Sequence, residues 1–235
     1  MKLNKIPLNY LWGKRDYVLS HLSEITDEVY KCNLDIREIE HQAGRYLNMR
    51  RVVDEIITNH FKGDVVEFGT YKGLGLIMLA RLFGANTTRR KFIGIDSFKG
   101  LPENSTIWRK GTFGDINSVK IEKEIKMRSP RNLDLKLINS WFLDPKVAIE
   151  LHTETNNIVL FHFDADLKSS TLTALKIAEG YLANDRPSYF LFDDWGCHPD
   201  EVPDAFAEWI GNKKNLTVER MASTRFTRYY RIIKK

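Results

Sequence analysis

Two groups of residues in this chain have the types and spacing to do chemistry. The first lies in the stretch from Asp64 to Gly73, Asp-Val-Val-Glu-Phe-Gly-Thr-Tyr-Lys-Gly. A short β-run (Val65, Val66, Phe68) meets Gly69 and Gly73, and a helical pattern follows (Leu74, Ile77, Met78, Arg81, Leu82). Strand, glycine turn and helix N-terminus make the opening unit of a nucleotide-binding α/β sheet. The order is not the phosphate-binding G-x-G-x-x-G. Glu67 is expected inside the turn, where an acid suits a cationic ligand better than a pyrophosphate. A second alternating run, Phe92 to Ile95, ends in Asp96, 21 residues after Gly75. In doubly wound sheets an acid there hydrogen-bonds ribose hydroxyls; on a plainer reading Glu67 and Asp96 are ordinary strand-end acids. The second group is Asp164, Asp193 and Asp194, at the ends of two further apolar runs, Ile158 to Phe163 and Tyr189 to Phe192. Ligands of open α/β sheets bind beyond the carboxyl ends of the strands, so these acids should converge. Carboxylates held together repel unless protonated or neutralised. A hard divalent ion such as Mg²⁺ would neutralise them and acidify a bound hydroxyl; capping and solvation are the alternative. Asp166 is assigned to capping the next helix.

The elements that must position these groups can be read in order. Residues before about 60 are mostly helical. Tyr17, Leu19, Leu22, Ile25 and Val29 form one periodic run and Tyr46, Val52, Val53, Ile56 and Ile57 a second, with a polar break at His41 to Gly44. Arg45, Arg50 and Arg51 could reach an anion or line an exposed face. A long loop follows Asp96, in the manner of a lid. Then come a charged helix ended by Ser129-Pro130 and a third strand (Leu133, Leu135, Leu137) running into Asn139-Ser140-Trp141-Phe142, where Trp141 either stacks on a ligand or packs in the core. A helix spans Ser169 to Ala183, Asp200 is expected to cap a helix through Trp209, and Leu216 to Val218 and Phe226 to Ile232 close the sheet. With 235 residues and 43% hydrophobic content this is one domain: an N-terminal helical extension, 1–60, on a core of 61–235. The net charge of +5 is spread thinly, so nucleic-acid binding is not expected. Two cysteines without metal spacing, and no 18-residue apolar span, suit a reduced, soluble, cytoplasmic chain that does not enter membranes.

Glu-x-Gly-x-x-x-Gly with a following strand-end acid resembles the S-adenosylmethionine pocket of class I methyltransferases. Further motifs sharpen this: Gly94-Ile-Asp-Ser-Phe-Lys-Gly-Leu-Pro102, Gly111-Thr-Phe113, His162-Phe-Asp-Ala-Asp-Leu167 with Ser170-Thr171, and Asp193-Asp194. Over about residues 44 to 210 they resemble the macrocin O-methyltransferase (TylF/MycF) family. The resemblance implies a Rossmann-like α/β fold, with a seven-stranded, mostly parallel sheet, the last strand antiparallel, and helices on both faces. It implies methyl transfer from S-adenosylmethionine to a hydroxyl of a small molecule, expected to be a sugar of a glycosylated metabolite or surface polysaccharide. It places the cofactor on Glu67, Gly69, Tyr71, Gly73, Asp96, Ser97, Ser140, Trp141 and Asp164, and Mg²⁺ or another hard divalent ion on Asp164, Asp193 and Asp194. Asp164 and His198 are the candidate bases, while His162, within a strand, is a core or supporting residue. An RNA methyltransferase and a non-catalytic adenosyl-ligand scaffold are the competing readings; homo-oligomer formation is left open.

Overall fold

The chain alternates short apolar runs with amphipathic ones, and each apolar run becomes a strand. The computed structural model describes residues 36–84, 89–197, 201–211 and 213–235. The elements are α1 (Ile36–Thr58), β1 (Asp64–Phe68), α2 (Leu74–Phe83), β2 (Lys91–Asp96), α3 (Ser118–Arg128), β3 (Asp134–Asn139), α4 (Pro145–Glu154), β4 (Ile158–Phe163), α5 (Lys168–Glu179), β5 (Ser188–Phe192), α6 (Val202–Ile210), β6 (Leu216–Ser223) and β7 (Arg228–Lys234). Residues from Gly44 onward form one compact unit. The helix expected around Tyr17 to Val29, the Asp200 cap and the base candidate His198 lie outside the described residues.

The strands form a seven-stranded sheet in the order β3-β2-β1-β4-β5-β7-β6. The pairs from β3 through β5 are parallel, and β7 runs antiparallel to both β5 and β6. The order reverses between β1 and β4, which opens the ligand crevice of a doubly wound sheet there. Every residue of β4 and β5 is buried, as parallel strands covered on both faces require. On one face a cluster around Phe68, Phe161, Phe163, Phe190 and Phe192 meets Leu175, Phe206 and Trp209. On the other, Met49, Val52, Val53 and Ile56 of α1 join Leu76, Leu79 and Tyr189.

Three differences from the sequence reading have physical causes. The polar residues His41 to Gly44 do not break α1. Gly44 sits in the helix because a Cβ there would stand 2.8 Å from Thr224 Oγ1, so the glycine serves close approach. Helix α4 was not expected. Its start is nevertheless written in Asp144-Pro145, since Asp144 Oδ1 accepts the Lys146 N–H at 3.0 Å and proline fits the first turn. Asp166 does not cap α5: the cap position is Leu167, and Glu201 accepts the Lys168 N–H. Among the described residues no helix is long and apolar enough to cross a membrane.

Candidate active site

The β1–α2 turn is shaped by glycines. Gly69 has φ +91°, and a Cβ on it would lie 1.7 Å from the backbone oxygen of Asp164. Gly73, at φ +79°, begins α2 against Ile125. Both take the left-handed region that costs other residues energy. Asp96 ties this turn to the next loop, its Oδ2 accepting the Tyr71 N–H and its Oδ1 the Phe98 N–H, each at 2.7 Å. Burial raises its pKa against those bonds. Tyr71 rests edge-on against Phe113, which meets Trp108 of the long loop, with ring centres 5.2 and 4.9 Å apart. The loop from 97 to 117 holds neither helix nor strand. It closes on itself through Leu101 and Thr112, and Ser97, buried at its start, accepts the Lys99 N–H. Ser140 at the end of β3 donates its backbone N–H to the Asp96 carbonyl. Trp141 is half-buried; its neighbour Phe142 is the ring that packs on Phe68.

Glu67 corrects the expectation of an acid inside the turn. It belongs to β1 and is fully buried, pressed against Gly75, where a Cβ would stand 2.0 Å from its Oε1. A hydrogen bond of 2.9 Å joins Glu67 Oε1 to His162 Nδ1. Burial pushes Glu67 up to about 8, opposed by Arg45 and reinforced by Asp96. Burial and Arg45 push His162 down to about 4, so this histidine is a neutral supporting residue near pH 7. The Thr70 hydroxyl favours the ionised Glu67, yet Oε2 has no partner in hydrogen-bonding geometry. A buried acid with a spare oxygen beside a glycine turn can accept from a cationic ligand, whose charge would lower the raised pKa and favour the carboxylate.

The strand-end acids do assemble, around a residue the sequence left undecided. Backbone bonds from Asp164 N–H to Phe68 O and from Asp193 N–H to Phe163 O, at 2.9 and 2.8 Å, seat both acids directly on the strand ends. Arg45 of α1 lies between them, Nη2 at 2.7 Å from Asp164 Oδ2 and Nη1 at 2.9 Å from Asp193 Oδ2. Burial would lower the arginine's pKa, but Asp193, Asp164, Glu67 and Asp194 together hold it above its ordinary value. Arg50 instead pairs with Asp54 on the exposed face, and Arg51 is exposed. The stripe Arg45, Met49, Val52, Ile56, one turn apart, was the available signal. One guanidinium does not balance four acids. Asp164 is pushed up to about 7 by burial together with Asp193 and Asp194, despite Arg45. Asp166 is raised well above the usual range by burial, then by Asp194, with which it shares a hydrogen bond. Asp194 also accepts from Cys197 Sγ at 3.2 Å. Hard oxygen donors with surplus negative charge suit a divalent cation chemically.

These shifts predict how the ligand-free protein responds to pH. Between about pH 7.5 and 8.5 His162 is neutral both folded and unfolded, while folded Glu67, and to a smaller extent Asp164, still holds a proton that the unfolded chain has released. The folded state then binds more protons, so stability falls as pH rises. The midpoint of thermal unfolding should drop across that window and level off above it; a midpoint that rises there would contradict the assigned environments.

Residues 41–223 match the model of the family described as Macrocin-O-methyltransferase (TylF). The demethyldecarbamoylnovobiocin O-methyltransferase of Streptomyces niveus is 27% identical over 198 residues, covering 75% of this chain and 70% of that protein. The solved O-methyltransferase NovP superposes with a TM-score of 0.67 at 20% identity, over 81% of this chain and 80% of that one. An apo structure of a TDP-rhamnose 3'-O-methyltransferase of calicheamicin biosynthesis gives 0.60 at 20% identity, over 81% and 80%. The likenesses match the Rossmann-like methyltransferase sheet described above. A family match spanning most of the compact unit carries the conclusion: the chain belongs to the macrocin-O-methyltransferase (TylF) family and is an S-adenosylmethionine-dependent O-methyltransferase.

Proposed function

We propose that this enzyme methylates a hydroxyl of a sugar-bearing small molecule, with Asp164 as the proton acceptor. The observation that carries the reading is the position of Asp164: its backbone lies against Gly69 of the cofactor turn, and its carboxylate lies in the acid cluster. A carboxylate with a pKa near 7 is matched to accepting a proton at neutral pH. S-adenosylmethionine supplies an electrophilic methyl and a thioether leaving group, so the chain mainly aligns the hydroxyl and removes its proton. Glu67 and the Gly69 turn receive the cationic end of the cofactor, and Asp96, with Tyr71, Ser97, Ser140 and Trp141 around it, receives the nucleoside. When bound, a divalent ion on Asp164, Asp193 and Asp194 would lower the pKa of the acceptor hydroxyl. The sugar reading draws on the TDP-rhamnose acceptor in the name of one solved relative.

The test is methyl transfer to matched acceptors: deoxysugar glycosides and nucleotide sugars against their aglycones, a catechol and an RNA. Turnover on the sugar-bearing compounds, with the methyl located on a sugar oxygen by NMR, is expected. Transfer to catechol or RNA with all sugars inert would sink the proposal. For the cofactor, Asp96→Ala should weaken S-adenosylmethionine binding by roughly ten- to a hundredfold, the worth of one charged hydrogen bond. Calorimetric titration checks this, and an unchanged affinity in the folded variant would remove Asp96 from the pocket.

A further inference from the structure

Arg45 holds the position that a cation among the strand-end acids would take. Its two terminal nitrogens reach separate carboxylates, Asp193 through Nη1 and Asp164 through Nη2. A single Mg²⁺ ion needs its oxygens about 2.0 to 2.1 Å away, hence no more than about 4.2 Å from one another. Among the described residues, the side chains whose ligand atoms close to within 4.8 Å around Asp164 are Glu67 and His162; Asp193 and Asp194 do not join that set. With Arg45 inserted, Asp164 and Asp193 are each paired to a separate nitrogen of one guanidinium.

We propose that Arg45 and the divalent ion are alternative occupants of the acid cluster: the guanidinium neutralises Asp164 and Asp193 in the metal-free enzyme and leaves them when the ion binds. This rests on the metal reading of the same acids and adds the event that reading requires. Two features of α1 make the exchange mechanically simple. Arg45 lies close to the start of the compact unit, at Gly44. The helix is anchored further along without it, by Asn48 donating to Thr227 Oγ1 at 2.6 Å and by Glu55 accepting from the hydroxyls of Tyr189 and Tyr229. The arginine can therefore swing out while its helix stays docked. Metal affinity of the wild type is then reduced by the fraction of molecules in which Arg45 fills the cluster. Metal loading also frees a cation at the acceptor side of the cofactor turn, next to Asp164.

The test has two arms, both read without turnover. Calorimetric titration of Mg²⁺ and Mn²⁺ into the wild type and Arg45→Met, at about pH 8.5 where protons compete least for the acids, should show binding at least about tenfold tighter in the variant. Equal or weaker binding in Arg45→Met would mean that Arg45 supports the ion, and would overturn the exchange while leaving the metal reading intact. The second arm needs no variant to fold well. In the ¹⁵N spectrum of the metal-free wild type, the Arg45 Nε–H should give a protected, shifted side-chain resonance, assigned by its loss in Arg45→Lys. Saturating Mg²⁺ should return it to the position of solvent-exposed arginines. A resonance unmoved by Mg²⁺ that calorimetry shows to be bound would overturn the exchange alone. If neither protein binds Mg²⁺ or Mn²⁺, the metal reading fails and the exchange with it.

Discussion

Replacing Asp164 with asparagine is expected to lower kcat by roughly 10²- to 10⁴-fold, the usual contribution of a positioned general base, while S-adenosylmethionine binding changes little. Asparagine keeps the shape and, in the metal-free enzyme, can still accept the Arg45 hydrogen bond. It cannot take a proton. The accompanying pH profile is specific: wild-type kcat should rise with pH as Asp164 loses its proton, below the metal-free value of about 7 because a bound ion favours the carboxylate, and the residual activity of Asp164→Asn should lack that rise. Single-turnover rates across pH 6 to 9 check both. A variant with a wild-type rate and an unchanged profile would hand the proton to another group.

Chelating the proposed divalent ion is expected to have the second large effect. In excess EDTA turnover should collapse, because alignment and acidification of the acceptor hydroxyl are lost. Cofactor affinity should largely survive, because the proposed cofactor residues Glu67 and Asp96 lie on β1 and β2 and need no ion. Asp193→Asn should mimic chelation. Asp193 is almost wholly buried and ion-paired with Arg45, so its variant tests charge inside the cluster rather than at the surface. The checks are methyl transfer before chelation, in EDTA and after Mg²⁺ is restored, with elemental analysis of the protein. Full activity in EDTA with no metal in the protein would leave the acids as a metal-free base and its supports.

The parts of this account legible in the sequence were those carried by local spacing. Gly69 and Gly73 announced a turn because nothing else takes their backbone conformation cheaply, and seven apolar runs announced seven strands. What was not legible depends on which way a side chain points once the chain has packed. Glu67, next to the glycines, read as a turn residue, yet strand alternation turns it inward against Gly75. Asp166 read as a helix cap because it precedes α5, but its φ of 55° goes with a loop conformation in which its carboxyl meets Asp194. Arg45 was one of three nearby arginines. Only its place on the buried stripe of α1 separates it from Arg50 and Arg51, and its pairing partners are 119 and 148 residues away.

The central claim is a division of labour: the cofactor turn binds, and the acid cluster, joined to it at Asp164, performs the transfer. The most direct measurement is the single-turnover methyl-transfer rate at saturating S-adenosylmethionine for Asp96→Ala and Asp164→Asn side by side. The account predicts that saturation restores Asp96→Ala close to the wild-type rate while Asp164→Asn stays low at every cofactor concentration. Recovery of Asp164→Asn by added cofactor, with Asp96→Ala remaining slow, would contradict it.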